Sequence, residues 1–527
     1  MMNPRWLTLF AVAGAAVLSC SDDDGEVSCT GGGGAGGASA GTAGQGGRPS
    51  SGGASAQGGS FAGASGAATG GSSGRDGSDG GAAETGGASA QGGVTPGGGS
   101  PEAGVGGVAG GEGPARAGAG GDGAAGGGGE AGAAARNTCV FPQLAELYKA
   151  QLPPGFCAWE WATNVQGARG ITVDSQGNVL VLSRTGRTVL ALWDDNGDGV
   201  SSPSERTAIA AAVDLNHAVV LNGGYLYASR TAAVYRWPYS AARTDLGRAT
   251  ALVNLIPTGG HVTRSLAFDA TYMYVSIGSA TNLDPNSARA RIVRFPLSSL
   301  GTAVVPFSAG EVFADGLRNE VGIRFDDRGR MWGVENGRDD LVRTDLGGDI
   351  HADNPGEELN LFAQPGRFYG YPYCWSEFAL PVGVGLGQGT QWADPATSGD
   401  GTHTDAWCKN TANVVPPVLS MQAHSAPLDI LFYQGDAFPS DYRGDAFVTF
   451  HGSWDRPEPT GYKVMRIPFG ANGMPSGNPT PLLEYAGTGD VALEWPYRPV
   501  GLAMLPNGVL LVTSDTSNTI LAIGYRP

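Results

Sequence analysis

Four of the six histidines, His217, His261, His424 and His451, each stand beside a short run of alternating apolar residues. A neutral imidazole near its ordinary pKa takes a proton at neutral pH, so each is a candidate general base. His261 differs from the others in following two glycines, in Gly259-Gly-His-Val-Thr-Arg264, directly before such a run. A second constellation is acidic. Asp194-Asp-Asn-Gly-Asp-Gly-Val-Ser-Ser-Pro-Ser-Glu205 matches the calcium-loop pattern D-x-N-x-D-G-x5-E in full. Asp194, Asn196 and Asp198 offer side-chain oxygens, Gly199 permits the sharp turn, Val200 offers its carbonyl, and Glu205 can close the shell with two oxygens. The flanking residues are strand-like rather than helical, so the expected ion is structural and not catalytic.

These groups need a scaffold, and a loose repeat supplies one. Gly170–Asp174 leads through Gly177 to Val179–Ser183; His217–Leu221 leads through Gly223 and Gly224 to Tyr225–Ser229; Ser265–Asp269 leads to Met273–Ile277. Val321–Asp326 leads through Gly329 to Met331–Val334, Leu428–Phe432 through Gly444 to Ala446–Phe450, and Val500–Met504 through Gly508 to Val509–Thr513. Each unit is two short strands with period-two alternation around a turn, the pattern of a hairpin. Six copies at intervals of about 45–105 residues predict an all-β fold, a six-bladed β-propeller with long insertions between some blades. Stacking blades around an axis buries faces that no hairpin could bury alone. The loops between blades gather at one mouth of the central channel, where a ligand site is expected.

Gly316-Leu-Arg-Asn-Glu-Val-Gly-Ile-Arg-Phe-Asp326, followed by Trp332-Gly-Val-Glu-Asn-Gly-Arg-Asp-Asp340, resembles the signature of the PQQ-dependent glucose/sorbosone dehydrogenase family. Glu357–Leu361, Tyr369–Tyr373, Ala423–Pro427, His451–Trp454 and Arg498–Gly501 are similar to further motifs of that family, in the family's order, and together cover most of 165–525. The stretch His424–Phe469 is closest to the sorbosone and pyranose dehydrogenase branch. The resemblance implies oxidation of a sugar by hydride transfer to pyrroloquinoline quinone, PQQ, assisted by Ca2+. It assigns the catalytic base to His261 and the cofactor site to Arg318 and Asn319, with Arg318 also near the reacting oxygen. Arg498 matches one of two cofactor-binding arginines; the other position is Pro496. Arg456 is the candidate for a further positive charge near the family's cofactor-binding lysine. Gly337 and Arg338 match positions whose backbone carbonyls bind the catalytic calcium, with Asp339 and Asp340 nearby. Where soluble glucose dehydrogenases carry Gln two residues beyond the Arg-Asn pair, this chain has Val321.

The N-terminus reads as an export signal over residues 1–20. Arg5 precedes a short apolar run from Trp6 to Leu18, too short to span a bilayer comfortably. The run ends at Val17-Leu18-Ser19-Cys20, which resembles a bacterial lipobox and makes Cys20 the candidate lipidation site of a membrane-anchored, periplasmic or cell-surface protein. An ordinary secretory signal with an incidental cysteine is the alternative. Residues 21–136 are expected to be a disordered tether of Gly, Ala and Ser, with a root-mean-square reach of about 55–60 Å for its Gly-rich part. The folded domain is expected over 137–527. Export favours disulfides, and pairing nearest neighbours gives Cys139–Cys157 and Cys374–Cys408; no CxxC or nearby CxxH spacing supports zinc instead.

A formal charge of -17 and the lack of a basic stripe argue against nucleic acid as a partner. No CxxCH haem motif occurs, so electrons taken from a sugar must leave to an external acceptor. Membrane contact is expected only through the N-terminal lipid. Two other readings remain at this stage: a calcium-dependent lactonase-type hydrolase, since six-bladed propellers also host that chemistry, and a non-catalytic surface module that binds glycans or proteins.

Overall fold

All six hairpins form, and each becomes the inner pair of a blade. The computed structural model describes residues 138–139, 147–241, 243–286 and 288–527, together with the backbone of two short strands, Cys20–Asp23 and Glu26–Cys29. Apart from that backbone, the expected signal, the lipid on Cys20 and the tether lie outside the described residues.

Blade 1 is built from Ala168–Val173, Val179–Ser183, Thr188–Leu192 and Arg206–Ala211. Blade 2 follows with Leu215–Asn222, Tyr225–Arg230, Ala233–Pro238 and Thr250–Asn254, and blade 3 with Leu266–Phe268, Tyr272–Ile277, Arg291–Pro296 and Glu311–Asp315. Blade 4 comprises Glu320–Phe325, Met331–Glu335, Glu357–Phe362 and Leu419–Met421; blade 5 comprises Pro427–Phe432, Ala446–Phe450, Lys463–Ile467 and Thr480–Tyr485. Blade 6 takes three strands from the C-terminal end, Pro499–Met504, Leu510–Ser514 and Thr519–Tyr525. Its fourth, Phe156–Ala162, comes from the other end of the domain and pairs antiparallel with Thr519–Tyr525. That pairing closes the ring, so no blade is left with an open interface between first and last.

The hairpin turns show why the sequence carries Asp where it does. The Asp174 carboxylate accepts the backbone N–H groups of Gln176 and Asn178 and the hydroxyl of Tyr239. Asp326 accepts from the N–H groups of Arg328 and Arg330 and from the Trp332 indole. Each carboxylate satisfies donors that a tight turn would otherwise leave unpaired.

Apolar clusters fill the spaces between blades. Leu180, Leu182, Val189, Ile209, Leu226 and the fully buried Trp237 pack blades 1 and 2 together. Inner strands come so close around the axis that a Cβ on Gly170 would sit 2.3 Å from the His217 carbonyl oxygen, which is why glycine occupies that position. Both expected disulfides are present: Cys139–Cys157 ties the residues before the closing strand to that strand, and Cys374–Cys408 pins the insertion between the third and fourth strands of blade 4. Among the described residues no helix is long and apolar enough to cross a membrane.

Candidate active site

The channel mouth gathers residues from most blades. His261, Arg318, Asn319, Asn336, Gly337, Asp339, Glu357, His424, His451, Trp454 and Arg498 line one narrow pocket of about 60 Å³. Loop geometry places them there. His261 lies just before blade 3, Arg318 and Asn319 just before blade 4, and Arg498 just before blade 6, so the residue preceding each inner strand is delivered to the same end of the channel. Gly278 is required by this crowding: a Cβ there would lie 2.5 Å from Asn319 Oδ1 and 2.7 Å from His261 Cβ.

His261 Nδ1 lies 3.0 Å from the Ser279 carbonyl oxygen and 3.1 Å from the Ser279 hydroxyl. A carbonyl can only accept, so it fixes the proton on Nδ1 and makes Nε2 the basic nitrogen. Arg318 is 6% exposed, and its guanidinium reaches five acceptors, the carbonyls of Asn282 and Asn336 among them. Its Nη1 donates to the Gly337 carbonyl at 2.6 Å, and its Nη2 to Asp339 Oδ2 at 2.6 Å and Asn282 Oδ1 at 3.2 Å. The Gly337 carbonyl, an expected calcium ligand, is therefore engaged by Arg318. Arg338, the second expected carbonyl ligand, turns its side chain away into an ion pair with buried Asp394 at 2.8 Å.

Arg498 also contributes, donating to the carbonyls of His451 at 3.1 Å and Gly452 at 2.8 Å. Arg456 does not line this pocket; it pairs with Asp353 at 3.3 Å and donates to the Glu458 carbonyl.

The rival histidines have separate surroundings. His451 Nε2 hydrogen-bonds Asp515 at 3.0 Å, and burial pushes the imidazole down to about 4. Asp515, despite its own burial, is held far below the usual carboxylate range by His451 and Arg169. With His451 neutral, fully buried Arg169 at 2.8 Å is the charge that keeps Asp515 ionised. His217 packs against the same Arg169. His424 Nε2 donates to the His351 carbonyl at 2.6 Å, and burial lowers its pKa against the attraction of Asp339 and Asp455. Glu357, 2% exposed, is pushed up to about 8 by burial, even though its carboxyl accepts the N–H groups of Gly337 and Ala426.

The expected calcium loop curls as its pattern requires. Asp194 accepts the N–H groups of Gly197, Asp198 and Gly199, Asn196 accepts that of Asp198, and Asp198 accepts that of Val200. Glu205, 8% exposed, accepts from the backbone of Asp195 and Ser202. This loop lies between the third and fourth strands of blade 1, apart from the mouth pocket.

Sequence reasoning did not single out Asn336, Trp454 or Asp515. Asn336 lies inside the Trp332–Asp340 motif, directly before the Gly-Arg pair, and Trp454 closes the His451–Trp454 motif, so membership of a recognised motif was the available signal. Asp515 carries none: it reaches Arg169 across a separation of 346 residues.

The donors of the mouth suit an anionic quinone. Two guanidinium groups, two primary amides and three imidazoles face one pocket, the kind of set a tricarboxylate requires. The comparisons agree with that chemistry. Residues 150–526 match the TrAA12-like family, and the chain belongs to it. A "Pyrroloquinoline quinone-dependent sugar dehydrogenase" of Hypocrea jecorina is 35% identical over 73% of this chain and 92% of its own length. A "Pyrroloquinoline quinone-dependent pyranose dehydrogenase" of Coprinopsis cinerea is 31% identical over 67% of this chain, which spans about half (52%) of that relative. The calcium structure of a Trichoderma reesei enzyme of carbohydrate-active family AA12 superposes with a TM-score of 0.64 at 32% identity, covering 72% of this chain and 98% of the other.

Proposed function

We propose that the protein is a PQQ- and Ca2+-dependent sugar dehydrogenase whose reaction takes place at the channel mouth. The observation that carries this reading is the convergence of His261, Arg318, Asn319 and Arg498, from three separate blade junctions, on one pocket. Arg318, Asn319 and Arg498 would hold the cofactor, and the backbone carbonyls of Gly337 and Arg338 would hold the calcium ion, the Gly337 carbonyl using the lone pair that Arg318 leaves. The bound quinone supplies a two-electron acceptor for hydride, polarised by the divalent ion.

The protein's own contribution is positional and acid–base. Nε2 of His261 takes the proton from the sugar hydroxyl as hydride leaves the same carbon, and the Ser279 carbonyl stabilises the imidazolium through Nδ1–H. Arg318, fixed by Asp339 and Asn282, presents its positive charge where negative charge grows. Gly278 keeps His261 and Asn319 close enough to act on one bound sugar.

The loop Asp194–Glu205 binds a structural calcium ion through Asp194, Asn196, Asp198, Val200 and Glu205. Electrons leave to an external acceptor. Export places the domain in an oxidising compartment, consistent with its two disulfides, and a lipid on Cys20 with the Gly-rich tether would hold it off a membrane.

The test is reconstitution of the full chain with PQQ and Ca2+, followed by aldoses and a dye acceptor. Sugar-dependent dye reduction that requires both additions is the expected result. Hydrolysis of lactones without PQQ, or glycan binding with no redox activity, would overturn the assignment.

A further inference from the structure

At the mouth one large apolar side chain is left uncovered. Trp454 is 44% exposed, the only exposed tryptophan among the described residues. Of the exposed large apolar residues it alone lines the mouth pocket. Buried indoles elsewhere are partnered: Trp237, Trp332, Trp375 and Trp392 donate to Gly247, Asp326, Ala393 and Glu377. The Trp454 ring makes no hydrogen bond, ring stack or cation–π contact with any described residue. A surface indole over a ligand pocket, apolar on its faces and free of partners, is a surface for a ligand to cover.

The ring is nevertheless carried on a fixed loop. On one side the Ser453 N–H donates to the Thr460 carbonyl at 2.8 Å, and the Ser453 hydroxyl accepts the Thr460 N–H at 2.9 Å. The Tyr462 hydroxyl donates to the Ser453 carbonyl at 3.3 Å. On the other side Asp455 accepts the Asp340 N–H at 3.0 Å, and Arg456 pairs with Asp353 at 3.3 Å. The excursion 453–460 is thus closed at its base and tied to the blade 4 loop that carries Gly337 and Asp339. Only two side-chain torsions remain to be set when a ligand covers the indole.

We propose that Trp454 is the platform on which the ring of the substrate sugar stacks, and so a residue that sets substrate class; this rests on the sugar dehydrogenase reading above. A sugar ring is polar at its edge, where hydroxyls project, and apolar on faces that carry only C–H groups. The mouth mirrors that division. His261, Arg318, Asn319 and Asp339 exchange hydrogen bonds with hydroxyls, and the other apolar lining residues, Ala426 and Leu428, are small or buried. The indole supplies the apolar face, because C–H groups carry partial positive charge and are drawn to the negative face of the π system. Stacking fixes the plane of the sugar ring, and the hydroxyl held by His261 fixes its rotation within that plane. Cyclic aldoses with equatorial hydroxyls offer an unbroken C–H face and are the favoured class. A linear polyol has no fixed face to offer.

The full chain, loaded with PQQ and Ca2+, is assayed with D-glucose, D-galactose, D-mannose and the linear D-glucitol. For the aldose that the parent oxidises fastest, Trp454→Ala is expected to raise KM at least about tenfold, the loss of one aromatic contact. The same variant keeps kcat within about threefold, since binding common to ground and transition states is what it loses. Trp454→Phe is expected to restore most of the KM. Saturation-transfer NMR of the same sugars, run without an electron acceptor, reads binding apart from turnover. Irradiating aromatic protons is expected to saturate the sugar ring protons in the parent and much less in Trp454→Ala. Unchanged KM and undiminished transfer would overturn the platform and leave the dehydrogenase reading standing. A parent that binds an aldose through Trp454 yet reduces no dye would uphold the platform and sink that reading. A raised PQQ dissociation constant in Trp454→Ala would place the indole against the cofactor, and a parent that prefers D-glucitol would remove the ring preference; either overturns the proposal.

Discussion

The two ends of the central channel are built from the same six inner strands and differ in nearly everything else. The cavity away from the mouth is the roomier, about 590 Å³ against about 60 Å³, and its walls mix polar groups with aliphatic side chains such as Ile171, Val173, Val219, Leu221, Leu266, Ile323, Leu428 and Leu502. Its main charged pair, Arg324 with Asp429, sits at 3.3 Å. The narrow mouth holds His261, Arg318, Asp339, Glu357, His424, His451 and Arg498 within one lining. Strand interiors alternate to fill an axis, whereas the residues just before each inner strand are released from that rule and can be polar. Volume therefore points to one end, and converging donors with shifted pKa values to the other.

Four predictions press on this contrast. The largest effect is expected at buried His451. Its pKa falls from about 6.5 unfolded to about 4 in the fold. The unfolded chain thus binds the proton first on acidification, and stability is lost as pH drops from about 6.5 toward 4, by up to about 3 kcal/mol. Denaturant midpoints measured across this range should fall more steeply in the parent than in His451→Gln.

Next, Arg318→Ala leaves Asp339 without its partner and removes two donors from the cofactor site. The PQQ dissociation constant should rise about 100-fold, near 2.8 kcal/mol, as read by titrating absorbance. The Asp194–Glu205 loop lies apart from both ends of the channel. Asp198→Ala should cost about 2.7 kcal/mol of calcium-linked stability at a hundredfold excess of Ca2+ over its Kd, leaving PQQ affinity unchanged; a parent protein that melts alike with and without calcium contradicts that ion. The smallest effect belongs to the roomy end. Val173→Leu adds one methylene to a cavity with space for it, so unfolding should shift by less than about 1.5 kcal/mol and kcat/KM by less than about twofold. A larger loss of turnover there would erase the distinction between the two ends.

The inner halves of the blades were legible because hairpins are local: alternation around a turn marks each of them, with a glycine at the turn in five of the six. The predicted unit Val321–Asp326 with Met331–Val334, for example, lies within one residue of strands Glu320–Phe325 and Met331–Glu335. Outer strands such as Arg206–Ala211 are half exposed and lack that alternation. Ring closure by Phe156–Ala162 joins residues more than 350 positions apart, which no local pattern encodes.

The site divides in the same way. His261, Arg318, Asn319 and Arg498 were readable from short motifs, and the structure brings them together. The Arg169–Asp515–His451 chain exists only through the packing of strands, so it could not be found by spacing.

The central claim is that His261 removes the substrate proton at a mouth that binds PQQ without its help. His261→Ala, reconstituted with PQQ and Ca2+ and mixed with sugar in a stopped-flow spectrometer, tests it most directly. The account predicts PQQ binding within a few-fold of the parent and reduction of the bound cofactor slowed by at least about 100-fold, the low end of what a general base contributes. Reduction at the parental rate would contradict it.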